Sequence, residues 1–169
     1  KLLEDRIIYL GSPIYDEVSN TINAQLLYLD SISNDPIYIY INSPGGDVYS
    51  GLSIYDTIQY INSPVNTVVT GLAASMAFII SICGEKRYAL PNSKLMMHQV
   101  LSGIDMSFAT DIEIHNKEVQ SIKKDMIEII KKHTNMSIKK IKKDIEHDCW
   151  MKPSEALICG VIDEIKTKK

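Results

Sequence analysis

Two reactive side chains stand in the most apolar stretch of this chain, NTVVTGLAASMAFIISICGEKRYALPNSKLMMHQV (66–100): Ser75 among alanines, and His98 at the end of an apolar run. A serine hydroxyl becomes a useful nucleophile when an imidazole takes its proton, and the imidazole in turn needs an acid to fix its tautomer and hold its charge. Asp144 and Asp148 supply late carboxylates, with Asp163 behind them. The spacing alone leaves the choice among the three open. Acyl transfer also needs two N–H donors for an oxyanion. The turn S-P-G-G at 43–46 can bring bare backbone to a ligand, so Gly46 is one candidate donor; the peptide after the serine, at Met76, is the other. Each feature also has an ordinary reading. Serine at a helix start is commonly a cap, a G-G pair is commonly a turn, and a histidine closing a strand is commonly a satisfied core residue.

The elements that must position these groups are legible from periodicity. A β-rich run at 6–10 ends at Gly11 and Pro13, and Asp16 precedes a helix whose apolar positions 18, 22, 26 and 29 share one face. PIYIYIN (36–42) reads as a strand that stops at S-P-G-G, and 48–61 as a second helix. A strand at 65–70 then leads into a helix at 73–83, which places Ser75 in a first helical turn. Short strands at 86–90 and 94–98 flank the turn L-P-N-S. A long amphipathic helix at 108–132 starts near Thr110 or Asp111, after an irregular segment, 99–108. A short helix at 137–145, a strand at 149–151, a helix opened by P-S-E-A and a final strand in VIDEI complete the chain. Strands alternating with helices predict an α/β architecture with a largely parallel sheet, in which chemistry gathers at segments leaving strand ends.

Composition narrows the function. With 169 residues, 45 % of them hydrophobic and 23 % charged, the chain suits one core. A net charge of −3 argues against nucleic acid as a partner. The lysines of KKDMIEIIKK and SIKKIKKD alternate with isoleucines at helical spacing, as on a solvated helix face. Cys83, Cys149 and Cys159 form no C-x-x-C pair, and His98, His115, His133 and His147 show no metal-binding spacing. Free thiols, a reducing compartment, no metal and no cofactor are the expectation. No uninterrupted apolar run has membrane-spanning length, so no membrane partner is expected. The chain opens at KLLEDRIIYLG without a basic-then-apolar leader, and a further N-terminal arm is expected ahead of it.

Five segments, in order, carry a resemblance: YIYINSPGGDVYSGLSIYDTIQYI, GLAASMAF, ALPNSKLMMHQ, ATDIEIHNKEV and IEHDCWMKPSEALICGVIDEI. They resemble the signature segments of the ClpP family, the proteolytic subunits of ATP-dependent Clp proteases, across essentially the whole chain. The resemblance implies a single-domain ClpP/crotonase-like ββα superhelix over 1–169, with a protruding strand-helix handle at approximately 99–133. It implies a serine endopeptidase with Ser75 as nucleophile, His98 as general base and Asp148 as the orienting acid, Asp148 being chosen because the family's acid stands two residues before the aromatic filled here by Trp150. Gly46 and Met76 would be the oxyanion donors, and no cofactor is implied. Family members form heptameric rings stacked in pairs as a tetradecamer, fed with unfolded polypeptide by an AAA+ ATPase. Gln99, Glu146 and His147 fall at ring-ring contact positions, and Tyr38, Tyr40, Tyr60 and Val68 in the groove that receives the ATPase. The implied setting is the bacterial cytoplasm or an organellar matrix or stroma.

This chain also departs from the family pattern. M-A-F follows the serine where the family has M-G-A, so Ala77 and Phe78 are expected to crowd Ser75. The segment after His98 reads Q-V-L-S-G-I-D-M-S-F, which bears on substrate alignment and ring pairing. His147 stands where the family commonly has arginine, which would make ring contact depend on protonation near neutral pH. Lys166 replaces an apolar residue of the groove. These departures favour one alternative, a weakly active structural paralogue in mixed rings; a crotonase-like acyl-CoA enzyme, which shares the ββα fold and a backbone oxyanion hole, is a third reading that the complete Ser-His-Asp set argues against.

Overall fold

The structure, a computed structural model, describes residues 1–168. Among these residues, seven strands and six helices follow in the order the hydrophobic pattern predicts: β1 (Ile7–Leu10), α1 (Asp16–Ile32), β2 (Ile37–Ser43), α2 (Val48–Tyr60), β3 (Val65–Ala74), α3 (Met76–Ile82), β4 (Arg87–Ala89), β5 (Lys94–Met97), α4 (Ala109–His133), α5 (Ile138–Asp144), β6 (Cys149–Met151), α6 (Pro153–Ile158) and β7 (Glu164–Ile165). The main path of the sheet runs β1-β2-β3-β4-β7, all parallel. The second half of β3 pairs with β5, and β5 carries β6 antiparallel.

Alternation on β2 shows how the sheet divides its faces. Ile37, Ile39 and Ile41 are fully buried in the core, while Tyr38 and Tyr40 point away from it. The isoleucines pack against Ile22, Leu26 and Leu29 of α1 and Ile54 and Ile58 of α2, whose spacing gives each helix one apolar stripe. At the C-terminal end of α1, the Arg6 guanidinium donates to the carbonyls of Leu29 (3.0 Å) and Ser33 (3.1 Å), placing a positive charge at the negative end of the helix. In α4 and α5 the apolar positions Ile122, Ile127, Ile130 and Ile141 are buried, while Lys124, Lys131, Lys139 and Lys143 are exposed, as expected of a solvated face. Among the described residues, no helix is long and apolar enough to cross a membrane.

Two expectations are corrected. The helix placed at 73–83 begins only at Met76, because Leu72, Ala73 and Ala74 continue β3 and pair with Lys94, Leu95 and Met96. Sheet pairing at these positions outweighs the helix propensity of the alanines. The strand expected within the handle is also not formed. Among the described residues, 98–108 take part in no ladder, and Leu101, Met106 and Phe108 are exposed. A strand needs a neighbour for its N–H and C=O groups, and among the described residues this segment has none beyond Gln99, whose N–H reaches the Ile145 carbonyl.

Candidate active site

Ser75 sits at the junction of β3 and α3, with φ 56° and ψ −122°. A non-glycine residue in this region is strained, and the sheet and helix on either side hold it there. Its own N–H donates to the Met96 carbonyl (3.0 Å), and its carbonyl accepts from Phe78 N–H (3.0 Å) at the start of α3. With its backbone fixed on both sides, the hydroxyl projects from a sharp strand-to-helix corner.

His98 follows the last residue of β5, the strand paired with the end of β3. Its Nε2 lies 2.9 Å from Ser75 Oγ. Its Nδ1 lies 3.2 Å from Asp148 Oδ1, just ahead of β6. The other two carboxylates are engaged elsewhere: Asp144 accepts from Lys140 Nζ (2.6 Å), while Asp163 accepts from the Arg87 guanidinium (2.6 and 3.0 Å). The structure therefore brings together Ser75, His98 and Asp148 and leaves the alternatives outside. The crowding expected from Ala77 and Phe78 does not displace the serine. Both side chains are fully buried among core residues, and the hydroxyl remains within hydrogen-bond reach of the imidazole.

The Gly45–Gly46 turn lies against the same corner. A Cβ at Gly45 would stand 2.5 Å from the Ala74 carbonyl oxygen and 2.8 Å from both Met76 N and Ser75 Cβ, at a φ of +87°. Only glycine permits that approach. Gly45 was not singled out in the sequence, where the G-G pair showed a turn but not what lay beneath it. At Gly46 a Cβ would meet the Ile14 carbonyl oxygen at 2.2 Å. Gly46 is exposed, and among the described residues no acceptor is found for its N–H. Met76 is the first residue of α3, so its N–H has no acceptor within the helix. Neither candidate donor has a backbone acceptor among the described residues.

Gln99 and Glu146 are also brought together. Gln99 N–H donates to the Ile145 carbonyl (2.8 Å), its side-chain amide donates to the Glu146 carbonyl (3.3 Å), and Lys123 Nζ donates to its Oε1 (2.8 Å). His147 is exposed in the next turn. A further tie was not read from the sequence: Tyr49 Oη donates to Glu118 Oε1 (3.1 Å), joining the start of α2 to α4. That carboxylate holds the Tyr49 hydroxyl above its usual pKa.

Of the four candidate groove residues, Tyr38, Tyr40 and Val68 share the sheet face turned away from the helices, with Tyr40 directly beside Val68. Tyr60 ends α2 on the helix side and is 83 % exposed, so the single chain does not place it in that row. Tyr88, which stands beside Val68 on β4, belongs to the row instead.

Comparison with known proteins converges on one family. The family model described as Clp protease matches residues 1–169. A protein of Bacteroides fragilis named ATP-dependent Clp protease proteolytic subunit is 50 % identical over 174 residues, covering 100 % of this chain and 83 % of its own length. Proteins of the same name from Bacteroides thetaiotaomicron (49 % identical, 100 % of this chain, 78 % of the relative) and Porphyromonas gingivalis (48 % identical, 99 % and 77 %) are similar over the same span. Matched along its whole length by the family model and at about half its positions by these relatives, the chain belongs to the Clp protease family.

Proposed function

We propose that this chain is the proteolytic subunit of an ATP-dependent Clp protease, a serine endopeptidase that cuts unfolded polypeptide through an acyl-enzyme. The observation that carries the reading is the continuous chain from Ser75 Oγ to His98 Nε2 (2.9 Å) and from His98 Nδ1 to Asp148 Oδ1 (3.2 Å). In the first step His98 Nε2 takes the Ser75 proton as Oγ attacks the scissile carbonyl, and Asp148 accepts from Nδ1–H, holding the productive tautomer and offsetting the imidazolium charge. The N–H groups of Gly46 and Met76 receive the oxyanion. As the tetrahedral intermediate collapses, His98 returns the proton to the leaving amine. A water activated by the same nitrogen then releases the acyl group. The subunit's own residues supply every proton transfer.

Asp148 is 58 % exposed in the single chain, so water competes for its oxygens. Assembly into paired heptameric rings, with Gln99, Glu146 and His147 at the contact, would cover this end of the site and strengthen the His98–Asp148 bond. The sheet face bearing Tyr38, Tyr40 and Val68 would receive the AAA+ unfoldase, with Tyr60 joining from the neighbouring subunit.

The test uses the assembled particle and a short fluorogenic peptide. The wild type should hydrolyse it without ATP, while folded substrates should require the unfoldase and ATP. Ser75→Ala and His98→Ala should each abolish turnover with particle size unchanged. Full activity in Ser75→Ala would remove the reading.

A further inference from the structure

The sheet face turned away from the helices carries one continuous rung. Tyr9, Tyr40, Val68 and Tyr88 stand side by side across four strands, with Tyr9 exposed, Tyr40 partly exposed, and Val68 and Tyr88 buried between them and Lys166. At the far end, Lys166 Nζ lies 4.0 Å from the centre of the Tyr88 ring, anchored by its own N–H, which donates to the Ala89 carbonyl (3.0 Å). Lys86, immediately before β4, is exposed. Glu164 faces Tyr88 from β7. Among the described residues, neither Lys86, Lys166 nor Glu164 makes an ion pair. The strip therefore has apolar and aromatic footing and a net positive end.

Charge at this position constrains what can lie on the strip. An ammonium over a tyrosine ring retains part of its hydration, and the ring quadrupole supplies only part of what it would lose on burial. A purely apolar segment laid across Tyr88 would strip that water and return nothing. A segment with a carboxylate beside its apolar anchors would replace the water with a charge-assisted hydrogen bond. We propose that the partner segment docking on this face carries an acidic side chain next to its apolar anchors, and that Lys166 selects it. This inference rests on the reading of the face as the unfoldase dock, and adds the chemistry of the segment it takes.

Two end-blocked, dye-labelled peptides, Gly-Leu-Gly-Phe-Asp-Gly and its Asn twin, titrated by fluorescence anisotropy against the assembled particle, test it. The Asp peptide should bind about threefold to fivefold tighter at low salt, with the preference shrinking at high salt. Lys166→Leu should erase the preference while still binding the Asn peptide, and Tyr40→Ser should weaken both peptides alike. Equal affinity of the wild type for the two peptides, with both sensitive to Tyr40→Ser, would overturn the acid selectivity and leave the dock standing. Binding of neither peptide, or binding of both undiminished by Tyr40→Ser, would overturn the dock and the selectivity with it.

Discussion

Met97 on β5 and Cys149 on β6 form the last pair of an antiparallel ladder, and His98 and Asp148 each stand one residue beyond it, with Nδ1 3.2 Å from Oδ1. The imidazole and its carboxylate are thus brought together by the backbone pairing of the residues next to them. β5 also pairs with the end of β3, so one short strand sets His98 against both Ser75 and Asp148. The geometry therefore depends on the register of a three-residue strand at the sheet margin.

The first expectation concerns that carboxylate. Asp148→Asn keeps the shape but offers an amide where Nδ1–H needs an acceptor, so kcat for a short peptide should fall by roughly 10³- to 10⁴-fold with KM nearly unchanged. Asp144→Asn should leave kcat close to wild type, since Asp144 holds Lys140 and not His98. Steady-state kinetics on the two variants separates the acids.

Gly45→Ala should be far more damaging than its size suggests. The added carbon would stand 2.5 Å from the Ala74 carbonyl oxygen, on backbone that cannot step aside, at a positive φ. Together these should cost about 2–4 kcal/mol and deform the Ser75 corner. Thermal unfolding and peptide turnover should both fall.

Acid should weaken the fold through His133. Burial, with Lys132 and Arg87 adding to it, pushes this imidazole down to about 4, and its Nε2 sits 3.0 Å from the Tyr55 hydroxyl. The native state keeps it neutral, while the unfolded chain takes up a proton near the ordinary 6.5. Its contribution is therefore fully present above 6.5 and is lost as pH falls from there toward 4. Because the ring is only half-buried, the loss between pH 7 and pH 5 should be about 1 kcal/mol. In His133→Gln, which keeps a side-chain acceptor for Tyr55, thermal unfolding should show a shallower pH dependence.

The thiols should differ in reactivity. Cys83 is buried, its Sγ donates to the Ile80 carbonyl (3.0 Å), and burial pushes its pKa up to about 12. Cys149 and Cys159 are half-buried. Iodoacetamide on the native protein should modify these two and spare Cys83, and mass spectrometry of the digest reads it directly.

Much of this site was legible in the chain, and what was not has physical causes. Ser75, His98, Gly46 and Met76 could be singled out because residue type and strand ends carry that signal. Choosing Asp148 over Asp144 and Asp163 needed the family's motif order. Only the fold shows that Lys140 and Arg87 occupy the other two carboxylates. The helix drawn from residue 73 missed the reach of β3 because Leu72 to Ala74 have no strand-like composition; their strand state comes from pairing with β5. Gly45 and Tyr88 were missed for the same kind of reason, since what makes each matter is a neighbour distant in sequence. The handle's strand failed in the opposite direction: its residues suit an extended chain, but the partner backbone it needs is not supplied by this chain.

The most direct test of the central claim is labelling of the assembled particle with a fluorophosphonate, followed by mass spectrometry of the digest. An activated serine attacks phosphorus as it would a carbonyl, so one adduct should form, on Ser75, and disappear in Ser75→Ala and His98→Ala. An unlabelled Ser75, or an adduct that survives His98→Ala undiminished, would contradict the account of Ser75 as a nucleophile activated by His98.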